Sequence, residues 1–202
     1  MSNHTASMNR VVPDQLAARL HAAAEDLAPT TLDNLGMREI ARITGIPRAT
    51  LYYHFASKDD LVAFLLRAML EDLRHAVAAA VEQNGGVRLR LRAVVEAQFA
   101  HLAANPALGR LLLMNLGKLE RFRILADGIE AGFRAPVRNL LREAVASGEI
   151  EALDADVVAT ALYGAVTILG LDALLRRGSL EPAALAASVF PFFWQGVAGG
   201  RL

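Results

Sequence analysis

Apolar residues recur at helical spacing along most of this chain, and no stretch alternates apolar and polar positions for long enough to predict a strand. The first helix is predicted to begin after Pro13, since proline suits the first turn of a helix. It should end at Ala28-Pro29, because the residue before a proline avoids the helical region. Two short helices are predicted next, over Met37–Thr44 and from about Pro47 or Arg48 to His54.

A long helix is predicted to follow these short ones. Ser57-Lys58-Asp59-Asp60 resembles a capping box, and the helix that it opens should continue to about Val81. Asn84-Gly85-Gly86 is the clearest break in the chain. Further helices are predicted near Val87–Ala104, Pro106–Asn115, Leu119–Ser147, Asp154–Arg177 and Pro182–Val197, the third of them bent or divided near Gly132 and Pro136.

Composition supports an all-α protein and argues against several kinds of chemistry. Hydrophobic residues make up 54% of the chain and aromatic residues 6%, as expected for helices with much buried or subunit-facing surface. There is no cysteine, and the histidines show no metal-ligand or nucleophile–base spacing. We therefore expect no enzyme, no metal and no cofactor. Two uncharged runs, Val157–Leu171 and Pro182–Gly200, are too short or too interrupted for a membrane span and indicate buried helices or a subunit interface.

Charge is balanced overall but not locally. The chain has 21 basic and 21 acidic residues. Between Arg38 and Lys58, however, four basic residues stand against Glu39 alone. This local excess indicates an anionic partner for that segment, although a solvated helix face is the better interpretation of Arg42.

The segment Met37–Phe55 has the pattern of two short helices that meet at a tight turn. Gly45 permits a backbone conformation that a side chain opposes. Four apolar residues are spaced to form a shared core: Ile40, Ile46, Leu51 and Phe55. The outward positions of the second helix all carry groups that hydrogen-bond: Arg48, Thr50, Tyr53 and His54. Such a helix is suited to the major groove of DNA, where base edges specify and phosphate contacts position.

The run from Gly45 to Asp60, with Thr50-Leu51-Tyr52-Tyr53-His54-Phe55 before Ser57-Lys58-Asp59-Asp60-Leu61, resembles the signature of the tetracycline-repressor (TetR) family. The resemblance covers about Pro13–Leu73 as a motif and the rest only as a helix pattern. It implies an all-α dimer of about nine helices. The implied parts are a disordered arm (1–12), a helix-turn-helix DNA-binding domain (13–57), a linking helix (58–84) and a ligand-binding and dimerisation bundle (85–202).

The resemblance also implies which residues contact DNA. They are Arg38, Pro47, Arg48, Thr50, Tyr52, Tyr53, His54 and Lys58. Pro47 stands where the family commonly has a capping side chain, and Gly36 where it often has a threonine. Structural alternatives stay open at this point. Tyr52 is as consistent with core as with phosphate contact, and His54 with an ordinary surface position.

The second half of the chain yields only general candidates. Polar residues on apolar stretches and large apolar residues indicate where a pocket would lie: Gln98, Phe99, His101, Leu102, Leu112, Asn115, Phe122, Phe133, Tyr163 and Thr167. For each apolar one, ordinary core is the more frequent role. Small residues such as Gly164 and Gly170, and the aromatic run Phe190–Trp194, place the expected homodimer surface on the last two helices.

The function expected from these observations is a cytoplasmic transcriptional regulator of the repressor type. It would bind a pseudo-palindromic operator as a dimer, and a small apolar or amphipathic effector would release it. A helical adaptor that binds only proteins is the alternative. That reading leaves the outward polar face of the second short helix unexplained.

Overall fold

The structure is a computed structural model that describes residues 11–23, 26, 36–107, 109–110 and 123–198. All regular structure in this part of the chain is helical, which confirms the predicted all-α class. Eight helices have described bounds, close to the nine or so predicted. They are α1 Asp14–Ala22, α2 Met37–Thr44, α3 Arg48–His54, α4 Lys58–Val81, α5 Val87–Ala104, α6 within residues 123–146, α7 Ala155–Arg177 and α8 Pro182–Val197.

The helix ends follow local signals in the sequence. Ser57 and Asp60 form the predicted capping box at the start of α4, with each side chain bonded to the other's backbone amide. Gly45 ends α2 in the left-handed conformation, with φ of 64°. Pro47 is the N-cap of α3, so Arg48 is the first helical residue and the helix has no side-chain cap. Helix α1 ends at Ala22 with Ala23 as its C-cap, so the predicted end at Ala28-Pro29 is wrong, and those two residues themselves lie outside the described part of the chain. Most of the predicted helix Pro106–Asn115 also lies outside the described residues.

Helix α6 is interrupted by a π-helical turn. Its α-helical segments are Arg123–Ile129 and Ala135–Ala146, and the π turn Glu130–Arg134 lies between them. Gly132 lies within that turn, close to α4, where a Cβ atom would come 3.4 Å from the carbonyl oxygen of Leu70. The predicted division near Gly132 and Pro136 is confirmed. π turns of this kind are rare and are frequent at functional sites.

Helix α5 is the centre of the larger part of the molecule, and α4, α7 and α8 all pack against it. Helix α7 approaches α5 closely at Gly170, where a Cβ atom would meet Leu102 at 2.6 Å and Phe99 at 3.3 Å. Gly170 therefore faces the interior and does not belong to the outward small-residue surface on which we had placed it. Phe190 and Trp194 are likewise buried, so that of the aromatic run only Phe192 is largely exposed, at 81%.

Helix α7 is long and apolar enough to cross a membrane by length and composition. It is nevertheless a core helix in this fold, because Leu162, Val166 and Leu174 are buried against its neighbours. Its ends carry Asp156 and Arg176, both exposed and engaged in ion pairs. The packing supports a buried helix with one outward face, in line with the prediction from its length.

Candidate nucleic-acid interface

The two short helices α2 and α3 are held together by the predicted apolar core. Ile40 from α2, Ile46 from the turn and Leu51 from α3 are at most 1% exposed, and Phe55 is 3% exposed. The Phe55 ring extends this core to α4, with its centroid 5.5 Å from that of Phe64. This anchoring leaves the opposite side of α3 free to face a partner.

The turn between α2 and α3 is fastened from two sides. The Thr44 hydroxyl donates to the Ile40 carbonyl at 2.8 Å and accepts from the Ile46 amide at 3.2 Å. From α1, the guanidinium of Arg19 donates to the carbonyl of Gly45 at 2.8 Å and to that of Thr44 at 3.3 Å. Arg19 was not anticipated from the sequence, since it lies 25 and 26 residues away from the carbonyls that it contacts.

Arg48 and Tyr52 form a pair on the outer face of α3. The Arg48 guanidinium carbon lies 5.2 Å from the centre of the Tyr52 ring, and the same side chain donates to the Tyr52 hydroxyl at 3.3 Å. Tyr52 is 48% exposed, so a core role for it is wrong. The pair presents a cation that is already ordered, at the helix end that enters the groove in helix-turn-helix proteins.

The remaining face of α3 is polar and partly exposed. Tyr53 is 59% exposed, and its ring packs edge-on against that of His54 with centroids 4.9 Å apart. His54 is half-buried, and its Nδ1 atom is buried with no hydrogen-bond partner. Thr50 is half-buried as well. A hydroxyl, a phenol and an imidazole therefore line the surface beside the arginine.

The flanking cations lie at the starts of neighbouring helices. Arg38 is exposed in the first turn of α2, and Lys58 is the first residue of α4. Arg42, by contrast, forms an ion pair of 2.6 Å with Glu39, whose pKa is lowered by this hydrogen bond. Arg42 is largely exposed, which agrees with its interpretation as part of a solvated helix face.

The second set of candidates lies between α5 and α7. Those that the structure describes are all buried, and several are in contact. The Gln98 side-chain amide donates to the Thr167 hydroxyl at 3.1 Å, and the rings of Phe133 and Tyr163 are 5.3 Å apart. Phe99 and Leu102 line the same side of α5. Leu112, Asn115 and Phe122 lie outside the described residues.

Burial keeps the titratable members of this set uncharged. Burial lowers the pKa of His101, and the exposed carboxylate of Asp72 on α4 partly opposes that shift. Burial also raises the pKa of Tyr163 to about 12, and the nearby Thr167 hydroxyl, which does not reach hydrogen-bond geometry with the phenol, has a smaller opposite effect. Both side chains are therefore neutral at physiological pH, one as an imidazole and the other as a phenol.

Comparison with known proteins places the helix-turn-helix in a family. A family model described as "Bacterial regulatory proteins, tetR family" matches residues 20–64, the segment that contains α2, α3 and the start of α4. This segment therefore resembles the DNA-binding part of the TetR family. The match agrees with the predicted regulator rather than with an enzyme.

Two relatives carry regulator names. The HTH-type transcriptional regulator BetI of Agrobacterium fabrum is 36% identical over 66 residues, which are 33% of this chain and 32% of that protein. The HTH-type transcriptional activator FasR of Mycolicibacterium smegmatis is 33% identical over 108 residues, which are 53% of this chain and 49% of that protein. The chain thus spans a third to a half of the length of these relatives.

The likeness of fold extends over nearly the whole chain. The transcriptional regulator FadR of Bacillus subtilis, solved in complex with stearoyl-CoA, superposes with a TM-score of 0.77. The match covers 92% of this chain and 99% of that one at 19% identity. At this level of identity the comparison establishes the TetR-like fold for the bundle beyond the helix-turn-helix.

Proposed function

We propose that this protein is a cytoplasmic, dimeric transcriptional repressor that binds a pseudo-palindromic operator and is released by a small apolar or amphipathic effector. The observation that carries the proposal is the outer face of α3. Arg48, Tyr52 and Tyr53 are exposed there, on a helix whose other side is locked into the core. Exposed aromatic and cationic groups on a rigid helix are suited to DNA and have no other evident role.

Each exposed group has a distinct task in this proposal. Arg48, at the start of α3, would donate two hydrogen bonds to a guanine edge, and Thr50 would contact a thymine methyl or a phosphate. The phenols of Tyr52 and Tyr53 would hold the backbone. Arg38 and Lys58 would add phosphate contacts on either side. Lys58 lies at the amide-rich start of α4, where the helix dipole also favours an anion.

The dimer surface is proposed on α7 and α8. Four large apolar side chains of α7 are between 40% and 62% exposed, namely Val157, Ile168, Leu169 and Leu175. Exposed Ala161 and Ala165 lie between them, and the six positions fall on one face of the helix, which also carries Asp172 ahead of Leu175. A stripe of this kind is the expected seam of a helical dimer. Phe192 on α8 adds a fifth large exposed apolar side chain.

The π turn supports a route of coupling from the interior to DNA. Phe133 in that turn packs on Tyr163, while Gly128 and Gly132 on either side of its start approach Leu70 of α4. A molecule bound beside Tyr163 would therefore displace the π turn, which contacts α4. Helix α4 begins three residues after the core residue Phe55. Release requires that the effector bind the DNA-free arrangement more tightly than the DNA-bound one.

The effector class is supported by the apolar surroundings of the buried polar side chains, and FadR with its bound stearoyl-CoA is a neighbour in fold. We propose that the bound protein represses transcription. FasR, a relative 33% identical over 108 residues, is named an activator, so the direction of regulation is tested separately from DNA binding.

The test is selection of duplexes from a random DNA pool by the purified full-length protein, followed by a reporter assay with the selected site. We expect enrichment of a two-fold symmetric sequence with half-sites about 34–36 Å apart. The reporter should fall when the protein is expressed. Enrichment without symmetry would contradict the dimeric mode, and a rise of the reporter would contradict repression.

A further inference from the structure

Three buried polar atoms on α5 and α7 have no hydrogen-bond partner. They are Oε1 of Gln98, Nε2 of His101 and the hydroxyl of Tyr163. The three residues are 2%, 8% and 9% exposed, respectively. Buried polar groups in native proteins are nearly always hydrogen-bonded, because an unpaired one keeps the full cost of its lost hydration. Three unpaired polar atoms in an apolar core indicate a site for a partner that can form hydrogen bonds with them.

The geometry fixes what two of these atoms can offer. The Gln98 amide nitrogen donates to Thr167 at 3.1 Å, which sets the orientation of the amide and leaves Oε1 as an acceptor. The Tyr163 ring is held against Phe133 on the π turn, so its hydroxyl is presented from a fixed position. Gln98 and His101 are one turn apart on α5, and Tyr163 and Thr167 are one turn apart on α7. The two pairs belong to helices in contact.

Among the described residues, no positive charge acts on His101 or Tyr163. Burial keeps His101 and Tyr163 in their neutral forms, and among the described residues neither a lysine nor an arginine contributes to the pKa shift of either group. The charged group that acts on His101 is the carboxylate of Asp72, which would repel an anion. An ionised carboxylate or phosphate buried here would lose its hydration without gaining a cation.

We infer that the effector carries an uncharged group with both a donor and an acceptor, most simply a hydroxyl on an apolar skeleton, which pairs with Gln98 and Tyr163. The hydroxyl of the effector would donate to Oε1 of Gln98, and its oxygen would accept from the Tyr163 hydroxyl. Nε2 of His101 provides a further hydrogen-bonding position for the same molecule. This inference rests on the proposed function, in that it places the effector in the α4–α8 bundle, and it adds the class of ligand.

The first experiment compares three probes on the full-length dimer by titration calorimetry at pH 8: 1-decanol, sodium decanoate and decanoyl-CoA. Since chain length is matched, the polar group is the variable. We expect 1-decanol to bind at least tenfold more tightly than decanoate. Equal or tighter binding of decanoate or decanoyl-CoA would overturn the inference, and so would the absence of binding by all three probes.

The second experiment uses Tyr163→Phe, with Ser147→Ala, which removes an exposed hydroxyl at the end of α6, as the control. Removal of the buried hydroxyl should weaken 1-decanol binding about tenfold and leave the thermal midpoint of the free protein unchanged or higher, because an unpaired polar atom is lost. The control should bind 1-decanol like the wild type. A lower thermal midpoint with unchanged 1-decanol affinity would assign Tyr163 a purely structural role and overturn the inference.

The inference and the proposed function fail in different ways. If 1-decanol binds as expected but leaves operator binding unchanged, the inference stands and the proposed release mechanism fails. If decanoate or decanoyl-CoA binds more tightly and releases the operator, the proposed function stands and the uncharged-group inference fails.

Discussion

The guanidinium of Arg19 donates a hydrogen bond of 2.8 Å to the carbonyl of Gly45, which joins α1 to the turn of the helix-turn-helix. Gly45 occupies the left-handed region, where its carbonyl is no longer engaged within α2. A side chain at this position would be strained and would also approach Arg19, whose terminal nitrogen is 3.3 Å from an added Cβ. This long-range hydrogen bond adds to the apolar core that Leu20 of α1 shares with Leu51 of α3.

Arg19→Ala should lower the free energy of unfolding by about 1 kcal/mol, the usual value of one such hydrogen bond. It should also weaken operator binding, because the turn that orients α3 loses its hydrogen bond to Arg19. No group that contacts DNA is removed. Urea denaturation and a binding titration measure the two effects. Arg142→Ala, which removes an exposed arginine on α6, is the control. Unchanged operator affinity in Arg19→Ala would contradict a positioning role.

Arg48→Lys should cost about 1–3 kcal/mol of discrimination at one base pair in each half-site, since lysine cannot make the paired hydrogen bonds of a guanidinium. Tyr52→Phe keeps the ring beside Arg48 and removes only the 3.3 Å hydrogen bond. We therefore expect the tyrosine variant to keep its base preference. Binding to a panel of single-base operator variants measures both. Equal loss of preference in the two variants would mean that Arg48 does not read a base.

Stability should fall as the pH is lowered from 7 to 5. The pKa of His101 is lowered by burial, so the folded protein keeps this imidazole neutral while the unfolded chain takes up a proton below about 6.5. His21, also lowered by burial, acts in the same direction. His101→Leu should flatten the dependence, whereas His75→Leu on the exposed side of α4 should preserve it. Urea midpoints across this pH range provide the measurement.

Ile168→Glu and Leu175→Glu should convert the dimer into monomers, because each places a charge on the exposed apolar stripe of α7. Leu89→Glu, on a 60% exposed residue of α5 outside the stripe, should leave the dimer intact. Sedimentation velocity distinguishes the two states. Dimers in both α7 variants would exclude α7 as the subunit interface.

Much of the fold was predictable because its signals are local. Met37–Thr44, Val87–Ala104 and Pro182–Val197 have the predicted bounds, since glycine and proline punctuate the chain around them. The capping box at Ser57 was predictable for the same reason. The described DNA-facing candidates lie on α3 and at the starts of α2 and α4, as the resemblance implied, although their contacts with DNA stay a prediction.

What the sequence did not reveal depends on contacts between distant residues. Arg138 forms ion pairs with Glu130 in the π turn and with Asp156 at the start of α7. No local sequence pattern predicts these pairs. The direction in which Gly170 faces was predicted wrongly, because small residues on a helix are equally suited to a dimer seam and to close packing inside. The position of α5 decides between these two roles, a dimer surface and close packing in the interior.

The measurement that tests the account most directly is the affinity of the full-length protein for its selected operator across a series of salt concentrations. Arg38 and Lys58 on two protomers predict that the logarithm of affinity falls with the logarithm of salt concentration with a slope of about −4. Lys58→Ala should reduce that slope, whereas Arg48→Ala should abolish the preference for the selected site over random DNA. Binding that is insensitive to salt, or unchanged in both variants, would contradict the assignment of α3 as the DNA-reading helix.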